Sequence, residues 1–221
     1  MCSLIVDLNL AGKLVIVIGG GTEGTRKVKS LLGQNCKVIV VSNRLNKFLI
    51  DLAEKGQIDV VKTKLNDAAI LDRFEKPYLV LACTDNRSLN RELVQKAKKI
   101  GAFAYAADDP AVSDLTYLAI INIEDTVFIA ISTKGKSPAM ARLLRIKAER
   151  VLKRLIKEED VDYIKLANFA RDAAKSTLKD SHARKEYLYT VIKDKRIKNL
   201  IKSKKFDDAK NTAMEILEAW Q

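Results

Sequence analysis

Histidine is nearly absent from this 221-residue chain: His182 stands alone, and the three cysteines, Cys2, Cys36 and Cys83, lie far apart in the sequence. One imidazole and three scattered thiols supply no tetrahedral zinc site, no CxxC redox pair and no disulfide framework. No metal-ligating set is therefore expected. Proline is scarce too, with three residues, and no low-complexity linker interrupts the chain. No apolar run reaches the roughly 18 residues that a membrane-spanning helix needs. The N-terminal segment MCSLIVDLNLAGK lacks the basic-then-apolar order of a secretory signal. These absences predict a cytoplasmic protein without a membrane partner. Hydrophobic residues make up 48% of the chain and charged residues 31%, which suits a packed globular protein rather than a disordered one.

What is present is positive charge, unevenly placed. The formal net charge is +12, yet residues 1–133 carry 17 Lys/Arg against 15 Asp/Glu, whereas residues 134–221 carry 23 against 13. The first part is electrically ordinary and the second strongly basic. Such a field favours an acidic partner: nucleic acid, an anionic surface or a polyanionic small molecule. A solvated lysine-rich helical surface explains the same numbers. Aromatics in the basic half are sparse and do not interleave with its cations as a base-stacking platform would, so no nucleic-acid partner is expected.

Short apolar runs alternate with helical patterns over the first half. Strands are predicted at 14–18, 37–41, 58–61, 78–82 and 102–106, with helices at 22–34, 44–55, 67–75 and 86–100 between them. Gly56 and Gly101 are expected helix stops. This alternation predicts a parallel sheet covered by helices on both faces. Two apolar runs, 117–123 and 126–131, flank Glu124-Asp125 and predict a hairpin. Ser137-Pro138 then opens a long helix, with serine as N-cap and proline at the first helical position. The remainder reads as helical and basic.

Gly19, Gly21 and Gly24 satisfy G-x-G-x-x-G between a predicted strand and a predicted helix. The first glycine permits a tight turn and the second lets backbone N–H groups approach a pyrophosphate. The third lets helix and strand pack closely, and the helix N-terminus faces the phosphate charge. A dinucleotide cofactor is therefore expected. The second strand ends in Ser42-Asn43-Arg44, without the acid that usually holds a ribose there. Asn43 can hydrogen-bond a ribose hydroxyl, and Arg44 can meet a 2′-phosphate, so NAD is expected and NADP stays open.

Three segments carry a family resemblance: Gly19-Gly20-Gly21 with Arg26-Lys27; Ala82-Cys83-Thr84-Asp85-Asn86 with Asn90; and the run from Ile131 through Ser137-Pro138-Ala139-Met140-Ala141-Arg142 to Arg145. Over residues 5–150 the chain resembles the precorrin-2 dehydrogenase/sirohydrochlorin ferrochelatase module of siroheme synthases. The resemblance implies an α/β fold: a Rossmann-like parallel sheet, then a small α+β dimerisation region and a helical C-terminal region. The corresponding segments are 1–113, 114–150 and 151–221. It implies NAD-dependent oxidation of precorrin-2, an anionic tetrapyrrole, to sirohydrochlorin, with Fe2+ insertion in some members, and a homodimer. Cofactor contacts would fall on Thr22, Glu23, Asn43, Arg44 and Thr84. The family's catalytic aspartate maps to Asp108, within Tyr105-Ala106-Ala107-Asp108-Asp109-Pro110. Tyr105 stands where asparagine is common, and Lys134 where glycine is usual. Thr133 matches a serine that is phosphorylated in some members.

The chemistry of the residues accords with that assignment. Asp108 follows a predicted parallel strand, at the edge where such sheets bind ligands. Removing two hydrogens from carbon needs a hydride acceptor and a base, and a carboxylate can be that base. The neighbouring Asp109 is expected to raise the proton affinity of the pair. Substrate carboxylates would meet the N-terminus of the long helix among Ser132, Thr133, Lys136, Ser137 and Arg142. The competing readings are a non-enzymatic NAD-sensing regulatory protein with a basic nucleic-acid-binding tail, and a gating domain of the ion-channel kind. The second leaves the Ser-Pro-Ala-Met-Ala-Arg segment without a role.

Overall fold

The computed structural model describes residues 4–220. The chain divides into two compact units, one ending at Tyr117 and one beginning at Leu118.

The first unit is built on five strands: β1 (Leu14–Ile18), β2 (Lys37–Ser42), β3 (Asp59–Lys62), β4 (Leu79–Ala82) and β5 (Phe103–Ala106). They are all parallel, in the order β3-β2-β1-β4-β5. Between them run α1 (Thr22–Leu31), α2 (Lys47–Glu54), a six-residue 3-10 helix (Ala68–Arg73) and α3 (Arg87–Lys99). The two faces of the sheet have separate cores. Ile16 and Ile18 pack with Leu89, Leu93 and Ala97 of α3. Val15 and Val17 pack with Val28 and Leu31 of α1 and with Leu49 and Leu52 of α2. Burial on both faces is why β1 reads as an unbroken apolar run, each large side chain contributing about 1.5–3 kcal/mol. The doubly covered parallel sheet is the predicted architecture.

The main departure lies at 67–75, where a helix was expected and a 3-10 turn is found. Asp67 caps it by accepting from Ala69 N at 2.9 Å, and Glu92 of α3 accepts from Ala68 N at 3.0 Å. The segment is too short to repay the ordering of an α-helical nucleus. Gly101 lies just past α3 at φ 81°, the left-handed stop expected there.

β1 is the central strand, with β2 on one side and β4 on the other: Ile18 pairs with both Val41 and Ala82. Successive connections leave β1 in opposite directions, so a crevice opens beyond the carboxyl ends of β1 and β4.

The second unit starts with an antiparallel hairpin, β6 (Ala119–Ile123) and β7 (Val127–Ile131). Its turn residues Glu124 and Asp125 both have positive φ, at 49° and 48°. A long helix, α4 (Pro138–Leu155), follows, and then α5 (Glu158–Thr177), α6 (Ser181–Lys193), α7 (Lys195–Lys202) and α8 (Phe206–Glu218). The last four share a core around Leu166, Tyr187, Val191, Ile197 and Ile201. Tyr187, fully buried, donates its hydroxyl to the Ala213 carbonyl at 2.9 Å. The helix α4 is different: Ala141 is its one buried residue, and Met140, Leu143, Leu144, Val151 and Leu155 are exposed.

Candidate functional site

The crevice at the switch point is a cleft of about 550 Å³ lined by Gly19–Gly21, Ser42–Asn46, Thr63–Leu65, Cys83–Asn86 and Leu89. The glycines have different reasons to lack a side chain. A Cβ on Gly19, at φ 115°, would lie 2.3 Å from the Cys83 carbonyl oxygen, and one on Gly24 would lie 1.9 Å from the Gly19 carbonyl oxygen. These two are packing requirements, the tight turn and the close helix–strand approach. Gly21 is the opposite case: no atom lies within 4 Å of its Cβ position. The space above it is open, as an approaching phosphate requires.

The start of α1 fits the same group. Gly21 is its N-cap and offers no side-chain acceptor, whereas Asn46, Asn86 and Ser137 cap α2, α3 and α4 with side-chain oxygens. The first N–H groups of α1 are thus left for an anion. The cleft floor also depends on two residues that the sequence reading named without giving them a role. Gly20 abuts the next loop, where a Cβ would lie 2.2 Å from the Arg44 carbonyl oxygen. Ser42, buried, accepts from Gly20 N at 3.0 Å and donates to that carbonyl at 2.7 Å. A hydroxyl ending an otherwise apolar strand was the available signal.

Asn43 and Arg44 line the cleft with exposed side chains. Thr22, at the first turn of α1, is exposed but is not among the residues that line it. Glu23 turns toward its own helix. Arg26 donates to its Oε1 at 2.8 Å, and Lys27 Nζ lies 3.3 Å from the same oxygen. Burial works against the Glu23 carboxylate, but the two cations outweigh it and hold its pKa below the usual range. Lys27 is itself fully buried, with Nζ over the rings of Tyr105 and Tyr117. Burial pushes its pKa down to about 8 against the opposing pull of Glu23. Cys83, at the end of β4, is also buried, which raises its thiol to about 12 and keeps it an inert packing group.

On the other side of β4, Thr84 leads to the candidate base. Asn90, buried on the inner face of α3, donates from Nδ2 to the Thr84 carbonyl at 3.0 Å and to Asp108 Oδ1 at 2.7 Å. Asp108 follows β5 and reaches solvent; Arg87 Nε lies 3.8 Å from its Oδ2. Asp109 corrects the expectation that it raises the proton affinity of the pair. It is buried and bound by Arg91 at 2.7 and 2.9 Å, with Arg87 at 3.7 Å. Arg91 holds its pKa below the usual carboxylate range, so it is a fixed anion rather than a partner in proton sharing.

The remaining predicted residues belong to the second unit and form their own group between β7 and α4. Ser137 accepts from Met140 N at 3.2 Å as the N-cap, and Thr133 Oγ1 accepts from Ser137 N at 3.2 Å. Ser132 accepts from Lys134 N at 3.1 Å, and Lys136 N donates to the Thr133 carbonyl at 3.0 Å. Lys134 has φ 51°, the left-handed conformation that glycine favours. Arg142 is exposed on the first turns of α4, and His182 is exposed on α6. Among the described residues, no group of three or more His, Cys, Asp or Glu side chains is placed to hold a metal ion.

A five-stranded parallel sheet with a glycine turn at its switch point, an uncapped helix start and an open phosphate approach define a dinucleotide-binding unit. A family model described as "Putative NAD(P)-binding" matches residues 6–119, and the chain belongs to that family. Over 143 residues the chain is 37% identical to Siroheme synthase 1 of Aeromonas salmonicida, an alignment covering 65% of this chain and 30% of that protein. It is 32% identical over 179 residues to the siroheme synthase of Neisseria meningitidis serogroup C, covering 81% of this chain and 35% of that protein. The chain therefore spans about a third of the length of the curated relatives it matches. Among solved structures it is similar to SirC, precorrin-2 dehydrogenase, at TM-score 0.67 and 22% identity, covering 95% of this chain and all of the other. That match concerns the fold. The resemblance to siroheme synthases read from the three segments is borne out by these relatives.

Proposed function

We propose that this protein is an NAD-dependent dehydrogenase that oxidises precorrin-2 to sirohydrochlorin. The observation that carries the reading is Asp108: a solvent-reachable carboxylate at the carboxyl edge of the sheet, one hydrogen-bonded residue away from Thr84 in the dinucleotide cleft. Bound NAD+ would supply a hydride acceptor, held by Gly19–Gly24, Asn43, Arg44 and Thr84. The protein's own part is to orient substrate, keep the cleft walls fixed and accept a proton at Asp108. In the siroheme-forming step, with Fe2+ as a substrate, Asp108 would take protons from pyrrole nitrogens. The basic second unit suits a substrate rich in carboxylates, with Ser132, Thr133, Lys136, Ser137 and Arg142 as its proposed contacts. The exposed apolar face of α4 supports a homodimer, because a monomer gains nothing by leaving such a stripe in water.

The test is an anaerobic assay with precorrin-2 and NAD+. NADH and the sirohydrochlorin absorption spectrum should appear together, and Asp108→Asn should abolish both while leaving NAD+ binding intact. No turnover by the wild-type protein with either NAD+ or NADP+ overturns the reading.

A further inference from the structure

Asn90 is a polar residue on an apolar helix face. Its neighbours Leu89, Leu93, Val94 and Ala97 on α3 are all buried, and Asn90 has no exposed surface. A buried amide left unpaired costs about 1–3 kcal/mol, so its partners identify what holds it there. All four hydrogen-bonding positions are used. Oδ1 accepts from Thr84 N at 3.1 Å and from Thr84 Oγ1 at 2.6 Å. Nδ2 donates to the Thr84 carbonyl at 3.0 Å and to Asp108 Oδ1 at 2.7 Å. The orientation of the amide is forced. A backbone N–H can only donate, so the amide oxygen faces Thr84 N and the NH2 group faces Asp108.

We infer that Asn90 is the positioning residue for Asp108: it fixes carboxylate oxygen Oδ1 and leaves Oδ2 as the oxygen that takes the substrate proton. This inference rests on the reading of Asp108 as the base. Oδ1 is committed to a short, partly buried hydrogen bond. Oδ2 faces the exposed Arg87 at 3.8 Å, beyond hydrogen-bonding distance, and is open to a ligand. In the oxidation, a substrate C–H bond breaks and its hydride, carrying two electrons, reduces NAD+ to NADH. The accompanying substrate proton passes to Oδ2, so the substrate loses two hydrogens and atoms and charge balance. The same amide also holds both backbone groups of Thr84. One side chain thereby sets the proton acceptor at a fixed distance from the cofactor wall, and a displacement of about 1 Å in such a pair costs on the order of 100-fold in rate.

The experiment uses the full chain with precorrin-2 and NAD+. Asn90→Ser, which leaves room for water, should lower kcat at least tenfold, and any weakening of NAD+ binding or rise in substrate KM should be smaller than that loss. A solvent deuterium isotope effect should appear on kcat as proton transfer becomes limiting. If Asn90→Ser does not fold, as judged by its melting transition, the near-isosteric Asn90→Asp carries the test: it sets an acceptor where Asp108 Oδ1 meets a donor, so kcat should fall at least tenfold and its pH dependence should shift upward. Unchanged kcat, or a loss confined to KM or NAD+ affinity, overturns the inference while the Asp108 reading stands. Normal turnover by Asp108→Asn, or none by the wild type, overturns both.

Discussion

Lys27 Nζ stands 3.2 Å from the ring centre of Tyr117 and 4.1 Å from that of Tyr105. The ammonium is buried, paired at 3.3 Å with Glu23 Oε1 and without a hydrogen-bond acceptor. Two ring faces stand in for water around a buried cation. They tie α1 to β5 and to the last residue of the first unit. The sequence marked Arg26-Lys27 only as part of a resemblance; the cage is a property of the folded chain.

This cation predicts a pH dependence of stability. Its folded pKa is about 8, below the ordinary value of 10.5. Between those values the unfolded chain binds the extra proton, so stability rises with pH across that window, by at most about 1.4 kcal/mol per pH unit. Below pH 8 the cost of burying the charge is fully present. Urea unfolding of the wild type and of Lys27→Met at pH 7, 9 and 10.5 checks it. The wild type should gain on the variant as pH rises, and parallel curves would refute a depressed Lys27.

The three glycines of the turn should separate by function. Gly19→Ala and Gly24→Ala place a Cβ 2.3 and 1.9 Å from backbone oxygens and should each destabilise the protein by more than about 2 kcal/mol. Gly21→Ala meets nothing within 4 Å and should melt like the wild type, yet bind NAD+ at least tenfold more weakly. Calorimetric melting beside a cofactor titration distinguishes them, and wild-type affinity in Gly21→Ala would remove the phosphate from that space.

Arg44 sits where a ribose-binding acid is usual and lines the cleft. Arg44→Ala should raise KM for NADP+ about tenfold, the worth of one charge-assisted phosphate contact, and KM for NAD+ by clearly less. Equal effects on both cofactors would mean that Arg44 does not meet a 2′-phosphate.

The unpartnered face of α4 gives an assembly prediction. Leu143→Glu combined with Leu155→Glu, both at exposed positions, should shift sedimentation from dimer to monomer without lowering helix content. A wild-type protein that sediments as a monomer would refute the dimer.

Much of the first unit was legible in sequence because its strands are buried on both faces: the run at 14–18 and the glycines after it needed no tertiary information. The 3-10 turn at 68–73 escaped because a short helical pattern does not declare its hydrogen bonding, which here depends on Glu92 of another element. The dinucleotide cleft was legible through Gly19, Gly21, Gly24 and Arg44. Its floor, Gly20 on Ser42, was not, since it joins residues 22 apart.

The carboxylates show the same division. Sequence placed Asp108 and Asp109 side by side at the end of β5 and suggested that the second raises the proton affinity of the pair. Folding gave Asp109 to Arg91 and Asp108 to Asn90. Periodicity and turn chemistry are local, so the sequence by itself determined the strand–helix order and the glycine turn. Which cation or amide each acid meets depends on neighbours 18 residues away in the chain, and only the packing of α3 against β5 decided that.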